Sequence, residues 1–259
     1  MDPSRGRLAD VDRPSRPSSE LSAGPRIEPP AAEPRQRWRI TYTRETVSSE
    51  RVGRVALDEW QRALTASGLP MLESAGRARF AIAAPLPAAA RGERELAELW
   101  LVDRRAAWQV RVALEPVLPA GHGLADAEDV WLGAPALAGH VAAADWRIEI
   151  EPLDPTALEA LAAAAGALAF ARTIPRVRTK GTEQKAYDLR PLLGDVEVEG
   201  SGERVVVLAR TRFHPELGAG RPEEVVAALA EAAGVPLAIM AMTRSRLLLA
   251  DGIGGARRR

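Results

Sequence analysis

The sequence predicts an α+β protein built as two tandem ferredoxin-like α/β sandwiches with antiparallel sheets, preceded by a disordered N-terminal tail. Three observations carry this. Strand-period and helix-period apolar runs follow each other in the order strand, helix, strand, strand, helix, strand. The same order then recurs in the second half. The chain, 259 residues long, 46% apolar and 27% charged, has globular composition and the length of one or two ordinary domains.

In the first half, Arg37 to Thr43 (RWRITYT) alternates Trp38, Ile40 and Tyr42 with polar residues, the period of a half-buried strand. A helix follows, with Ser49 as its cap and Val52, Ala56, Trp60 and Leu64 on one face. Gly68 and Pro70 stop it. Arg79 to Pro85 reads as a short strand and Glu95 to Asp103 as a longer one. Arg104 to Leu118 reads as a second helix that gathers Trp108, Val112 and Leu114, and Gly123 to Leu132 closes the unit as a strand. Four strands and two helices in this order pack most simply as an antiparallel sheet under two helices.

The second half repeats the plan. Asp145 to Pro152 alternates Trp146, Ile148 and Ile150, and Asp154 caps a helix with Pro155 at its first position and Gly166 past its end. Thr173 to Thr179 and Asp195 to Glu199 are the expected strands flanking a charged stretch. Gly200-Ser201-Gly202 supplies a turn before Val205 to Ala209, whose unbroken apolar run predicts a central strand. Pro222, with Glu223 and Glu224, opens a helix to about Ala233, and Leu237 to Met242 is the last strand. Residues 1–36, with seven prolines and five serines, bury too little apolar surface to order and are expected to be a disordered tail. The expected domains are 37–132 and 145–250, with a linker over 133–144 and a basic C-terminal tail over 251–259.

Composition also excludes chemistries. Without a cysteine the polypeptide holds no disulfide, thiolate metal site or iron–sulfur cluster. His122, His140 and His214 are too far apart for a local ligand pair, so no metal or other cofactor is expected. Thirty-five basic residues balance thirty-five acidic ones, so any preference for nucleic acid is local. No apolar run approaches eighteen residues and the first thirty lack a signal-peptide core. A cytoplasmic protein with no membrane contact is expected.

The local charge lies in RTKGTEQKAYDLRPLLG, Arg178 to Gly194, which holds both lysines of the chain. From Arg172 to Arg190 six basic residues face only Glu183 and Asp188. The i, i+2 spacing of Arg176, Arg178 and Lys180 puts three cations on one face of a strand, and Lys185 follows. This is a candidate phosphate-tracking strip or, in the plainer reading, a solvated strand face. Asp188 can cap the turn at Leu189, and Arg190 can pair with a carboxylate or reach a phosphate. Arg221, before a helix start, suits an anion. Arg244 and Arg246, with Arg257 to Arg259, form a second basic segment. Glu149 and Glu151 share a strand face, but nothing in the sequence around them suggests a buried acid/base pair, and Ser48 and Ser49 lack a nucleophile motif. The six tryptophans read mostly as core.

Taken together, these pieces resemble the radical-SAM-associated (radical SAM-linked) protein family, a bacterial domain of unknown function. The resemblance is carried by WQRALTASGLP (Trp60 to Pro70), APLPAA (Ala84 to Ala89), the run Asp129 to Glu151, KGTEQKAYDLRPLL and GRPEEVVAAL, spread over about Arg37 to Leu249. Two segments depart from the family pattern. Val52-Gly53-Arg54-Val55 stands where the family has Ser-His-Leu-Asp, and Ala75-Gly76-Arg77-Ala78 where it has Gly-Phe-x-Pro. Family members are typically encoded beside, or fused to, a cobalamin-binding radical SAM protein, often near genes for ribosomal proteins and an RNase of the E/G type. The resemblance therefore implies a radical SAM protein as partner and a link to RNA. A chain without cysteine cannot ligate the cluster such catalysis needs. The expectation is a non-catalytic accessory protein that binds RNA or presents an RNA-linked substrate, with the strip as nucleic-acid contact and Asp188, Arg190 and Arg221 as partner or anion contacts. A metal-independent RNA-processing enzyme and a pure protein-binding scaffold stay open, since such folds host unrelated functions.

Overall fold

The structure, a computed structural model, describes residues 32–180, 183–201 and 203–250, the side chains of Thr179, Lys180 and Glu183 excepted. The expected C-terminal tail and the N-terminal tail up to residue 31 lie outside the described residues. Gln36 already belongs to the first strand, so order begins earlier than the composition suggests.

In chain order the elements are β1 (Gln36–Arg44), α1 (Arg54–Ala66), β2 (Glu73–Ser74), β3 (Arg77–Ala78), β4 (Phe80–Ile82), β5 (Ala90–Leu101), α2 (Ala107–Leu114), β6 (His122–Val130), α3 (Leu137–His140) and β7 (Val141–Ile150). They continue with α4 (Pro155–Phe170), β8 (Pro175–Lys180), β9 (Glu183–Asp188), β10 (Leu193–Ser201), β11 (Arg204–His214), β12 (Gly218–Ala219), α5 (Pro222–Ala233) and β13 (Ile239–Leu249). The fold is mixed α+β, dominated by a nine-stranded sheet in the order β10-β11-β7-β13-β5-β1-β6, with β12 on β11 and β4 on β5. Its neighbours pair antiparallel except β13 and β5, which run parallel where Met242–Arg244 meets Ala90–Gly92.

That parallel contact corrects the expectation of two separate sheets, because it makes the strands of both halves one continuous sheet. Both partners are longer than expected: β5 starts at Ala90 and β13 runs to Leu249. An exposed strand edge carries unpaired backbone donors and acceptors, and here each edge satisfies the other.

Local chemistry explains the other departures. Ser49 opens a short 3-10 turn instead of capping a helix; Gly53, at φ +64, then redirects the chain, and α1 starts at Arg54. Val52 thus leaves the apolar stripe, which Trp60 and Leu64 hold. On α2 the sheet receives Val110 and Leu114, whereas Trp108 and Val112 are 66% and 65% exposed. Both pairs have i, i+4 spacing, so periodicity alone does not choose between them. Asp154 caps α4 as expected, its carboxylate accepting from the Ala157 N–H at 2.8 Å. The helix then passes Gly166 and continues to Phe170, since one glycine costs only about 1 kcal/mol in an alanine-rich run. Gly234, at φ +65, closes α5 where the sequence places its end.

Two apolar clusters form the interior. One gathers Trp38, Ile40, Trp60, Leu64 and Leu114 of the first half; the other gathers Trp146, Ile148, Leu161, Val207 and Leu229 of the second, together with Ala83, Ala84, Leu86 and Ala90. Of the six tryptophans, Trp108 and Trp131 are exposed and the other four are buried.

Candidate nucleic-acid interface and the pocket beside it

The stretch flagged by its charge forms a hairpin of its own, β8 with β9, outside the main sheet. Its register sets Arg176 opposite Tyr187, Arg178 opposite Lys185 and Lys180 opposite Glu183. Arg176, Arg178, Lys185 and Tyr187 therefore share one face, on which the backbone also places Lys180, whose side chain lies outside the described residues. Arg176 is committed to α5: its Nε donates to Glu224 at 3.4 Å and its Nη1 to Glu231 at 2.7 Å. The guanidinium of Arg178 lies 4.7 Å from the centre of the Tyr187 ring. Its Nε and Nη2, like the Tyr187 hydroxyl, are covered by protein with no hydrogen-bond partner among the described residues. Burial pushes the Tyr187 hydroxyl above its ordinary pKa, the charge of Glu224 adds to this, and Arg178 opposes it. Lys185 is exposed.

Asp188 and Arg190 organise the turn after the hairpin. The Asp188 carboxylate accepts from the N–H of Ile174 at 2.7 Å and of Arg190 at 2.9 Å. Arg190 in turn donates to the carbonyls of Ala171, Leu193 and Ala169 at 3.1, 2.9 and 3.1 Å, tying the end of α4 to the start of β10. Arg221 is exposed and precedes the first turn of α5; its carbonyl accepts from the N–H groups of Glu224 and Val225, and its guanidinium has no partner among the described residues.

Arg221 stands at a pocket of about 640 Å³. One wall is Pro85 to Ala88, another the first turn of α5 with Phe213, and Val52 and Gly53 also line it. Its lining includes the buried side chains of Trp146 and Arg244. Arg244, 1% exposed, pairs with Glu95 through Nε at 2.9 Å and through Nη2, and holds the carbonyls of Ala84 and Pro85 at 2.9 and 3.1 Å. Arg44 secures the same segment through Leu86 at 3.1 Å, Ala90 at 2.9 Å and Pro87. Two buried arginines thus shape a wall of backbone without secondary structure. Glu224 belongs both to the pocket lining and to the ion pair with Arg176, so hairpin and pocket meet on one helical turn.

Sequence reasoning brings Arg176, Arg178 and Lys180 to one face of a strand and Arg221 to a helix start; the register adds Lys185 opposite Arg178, Arg176 pairs with α5, and Arg221 precedes its first turn. Sequence reasoning misses the pocket and the burial of Arg244. The second basic segment divides: Arg244 goes to the interior, while Arg246 pairs with Asp145 at 2.7 Å. Asp145 sits between Arg210 and Arg246; burial raises its pKa, but the two arginines outweigh this and hold it below the usual carboxylate range. Among the described residues no group of three or more His, Asp or Glu is placed to hold a metal ion, and no helix is long and apolar enough to cross a membrane.

A mixed α+β protein with a large antiparallel-dominated sheet, a basic hairpin and an adjoining pocket is thus defined. The chain belongs to the family described as "Uncharacterized protein conserved in bacteria (DUF2344)", whose model matches residues 56–222. Both the hairpin and Val52–Val55 bear on this match: the hairpin lies inside it and Val52–Val55 just before it. Among solved structures the chain is similar to one titled "Crystal Structure of a Cbf5-Nop10-Gar1 Complex", with a TM-score of 0.47 and 10% identity over 81% of this chain and 48% of that one. The chain therefore spans about half the length of that protein. No curated protein matches it.

Proposed function

We propose that the protein is a cytoplasmic, non-catalytic accessory protein that binds RNA, or an RNA-linked substrate, and presents it to a radical SAM enzyme. The observation that supports the RNA reading is the Arg178, Lys185 and Tyr187 face of the hairpin. Two cations directly opposite each other repel, and a phosphate between them turns that repulsion into attraction. Unstacked bases of single-stranded RNA lie on aromatic rings or on guanidinium planes, and this face offers one of each. Lys180 extends the strip along the backbone face, while Arg176, paired with Glu224 and Glu231, anchors the hairpin to α5.

The radical SAM partner rests on the family resemblance, with the chemistry of the cluster assigned to the partner because this chain has no cysteine. Arg221 is the candidate partner contact whose guanidinium is uncommitted among the described residues; Asp188 and Arg190 hold the turn beside the hairpin. We read residues 37–132 and 145–250 as tandem ferredoxin-like units joined by 133–144. Their strand orders, β4-β5-β1-β6 and β10-β11-β7-β13, support this, as do the two apolar clusters. The test is copurification with the cognate radical SAM protein, with and without RNase. Recovery that RNase abolishes gives a complex bridged by RNA, and recovery that survives gives direct contact. No recovery in either condition rejects the partner.

A further inference from the structure

We infer that the pocket at the start of α5 receives one unstacked base of the bound RNA, with guanine as the base it reads best. This rests on the RNA-binding reading above. A volume of about 640 Å³ lies in the range of pockets that enclose small ligands and accommodates a purine nucleoside. Phe213, Pro85 and Pro87, each at least partly exposed, line the pocket with apolar surface that can replace the stacking an extruded base gives up, a contribution of about 1–3 kcal/mol per base.

Charge then selects the ligand. The deep end is electrically neutral, because Arg244 spends its donors on Glu95 and on two carbonyls, so it favours a neutral heterocycle over a phosphate. Arg221 and Glu223 both line the pocket, and neither side chain has a partner among the described residues. A carboxylate beside a guanidinium complements one base edge in particular. Guanine presents two adjacent donors, N1–H and N2–H, to the two oxygens of Glu223, and its O6 and N7 accept from Arg221. Adenine and cytosine each offer one exocyclic amine next to an acceptor, and uracil a single N–H, so each leaves a carboxylate oxygen or a ring atom unmatched. Because Glu224 joins this turn to Arg176, a base held here leaves its own backbone close to the hairpin.

The test is the affinity of labelled oligouridines of about eleven nucleotides whose central residue is G, A, C, U or abasic, followed by fluorescence anisotropy. The wild type is expected to bind the G oligomer about tenfold or more tighter than the abasic one. Glu223→Gln, and Val52→Trp, which narrows the pocket, are expected to reduce that ratio to about twofold while keeping salt-sensitive, base-independent binding. Glu223→Gln changes only a half-exposed side chain, so the test survives if Val52→Trp fails to fold. Equal affinity for all five oligomers overturns the pocket assignment and leaves the hairpin as the RNA contact. Preference for another base overturns the guanine assignment. Failure of every oligomer to bind at low salt rejects the RNA reading itself and this inference with it.

Discussion

Arg178 and Lys185 face each other across the β8–β9 hairpin, a pair of like charges in a position that favours opposite ones. Without an anion, such a pair costs about 0.2–1 kcal/mol. Lys185→Glu is therefore expected to raise the midpoint of thermal unfolding by roughly 1–3 °C in the protein alone while weakening RNA binding. Calorimetry of the free protein checks the first half of this statement. A lowered midpoint would make Lys185 part of what stabilises the hairpin.

Arg190 is expected to be a staple. Arg190→Ala leaves the carbonyls of Ala169, Ala171 and Leu193 without their charged donor, a loss on the order of 2 kcal/mol or more. Arg190→Lys should recover little, because one ammonium does not span three carbonyls. Urea midpoints measure both. Unchanged stability with lost recovery of the partner would make Arg190 a contact residue.

Glu95 neutralises Arg244 in the interior under the pocket. Glu95→Gln is expected to cost about 3–5 kcal/mol, because it leaves a buried guanidinium unpaired. Replacing both residues, as Glu95→Leu with Arg244→Met, should cost less than the single change. Chemical denaturation of the three variants decides this, and equal losses would remove the ion pair as the cause.

His122 gives the pH dependence its sign. Its ring packs against Tyr42 and Trp60, and burial lowers its pKa; the carbonyls of Ala120 and Pro119 oppose this, and Arg44 adds to it. The unfolded chain then binds a proton more readily than the folded one. Stability is therefore present above the ordinary histidine pKa, about 6.5, and falls as pH drops below it. His122→Phe keeps the ring and should flatten that slope, as thermal midpoints between about pH 7.5 and 5 will show.

Much of this architecture is legible in the sequence, for physical reasons that particular elements make clear. Helix α5 is legible from end to end, because Pro222 pre-sets its first turn and Gly234 supplies its left-handed exit. The central place of β11 follows from Val205–Ala209, apolar on both faces. The hairpin is legible only in part: Thr173 to Thr179 reads as a strand, whereas Glu183–Asp188 (EQKAYD) is polar with no apolar alternation, so β9 escapes. Strand β5 is read too short at its start, because Ala90–Arg94 (ARGER) carries three charges in five residues and shows no apolar alternation. The junction of Met242–Arg244 with Ala90–Gly92 is a pairing distant in sequence that no local pattern encodes. Within the site, strand spacing aligns the cations of the strip. The pocket escapes because its lining comes from segments scattered between Val52 and Arg244.

The most direct measurement is the affinity of single-stranded RNA for the wild type and for Arg178→Glu with Lys185→Glu, each titrated over a range of salt. Each phosphate contact on a single strand contributes a log–log slope of about −0.7, so loss of two contacts should make the slope shallower by roughly 1.4 as the affinity falls. A folded double variant whose affinity and salt dependence equal those of the wild type would contradict the hairpin as the RNA-binding surface.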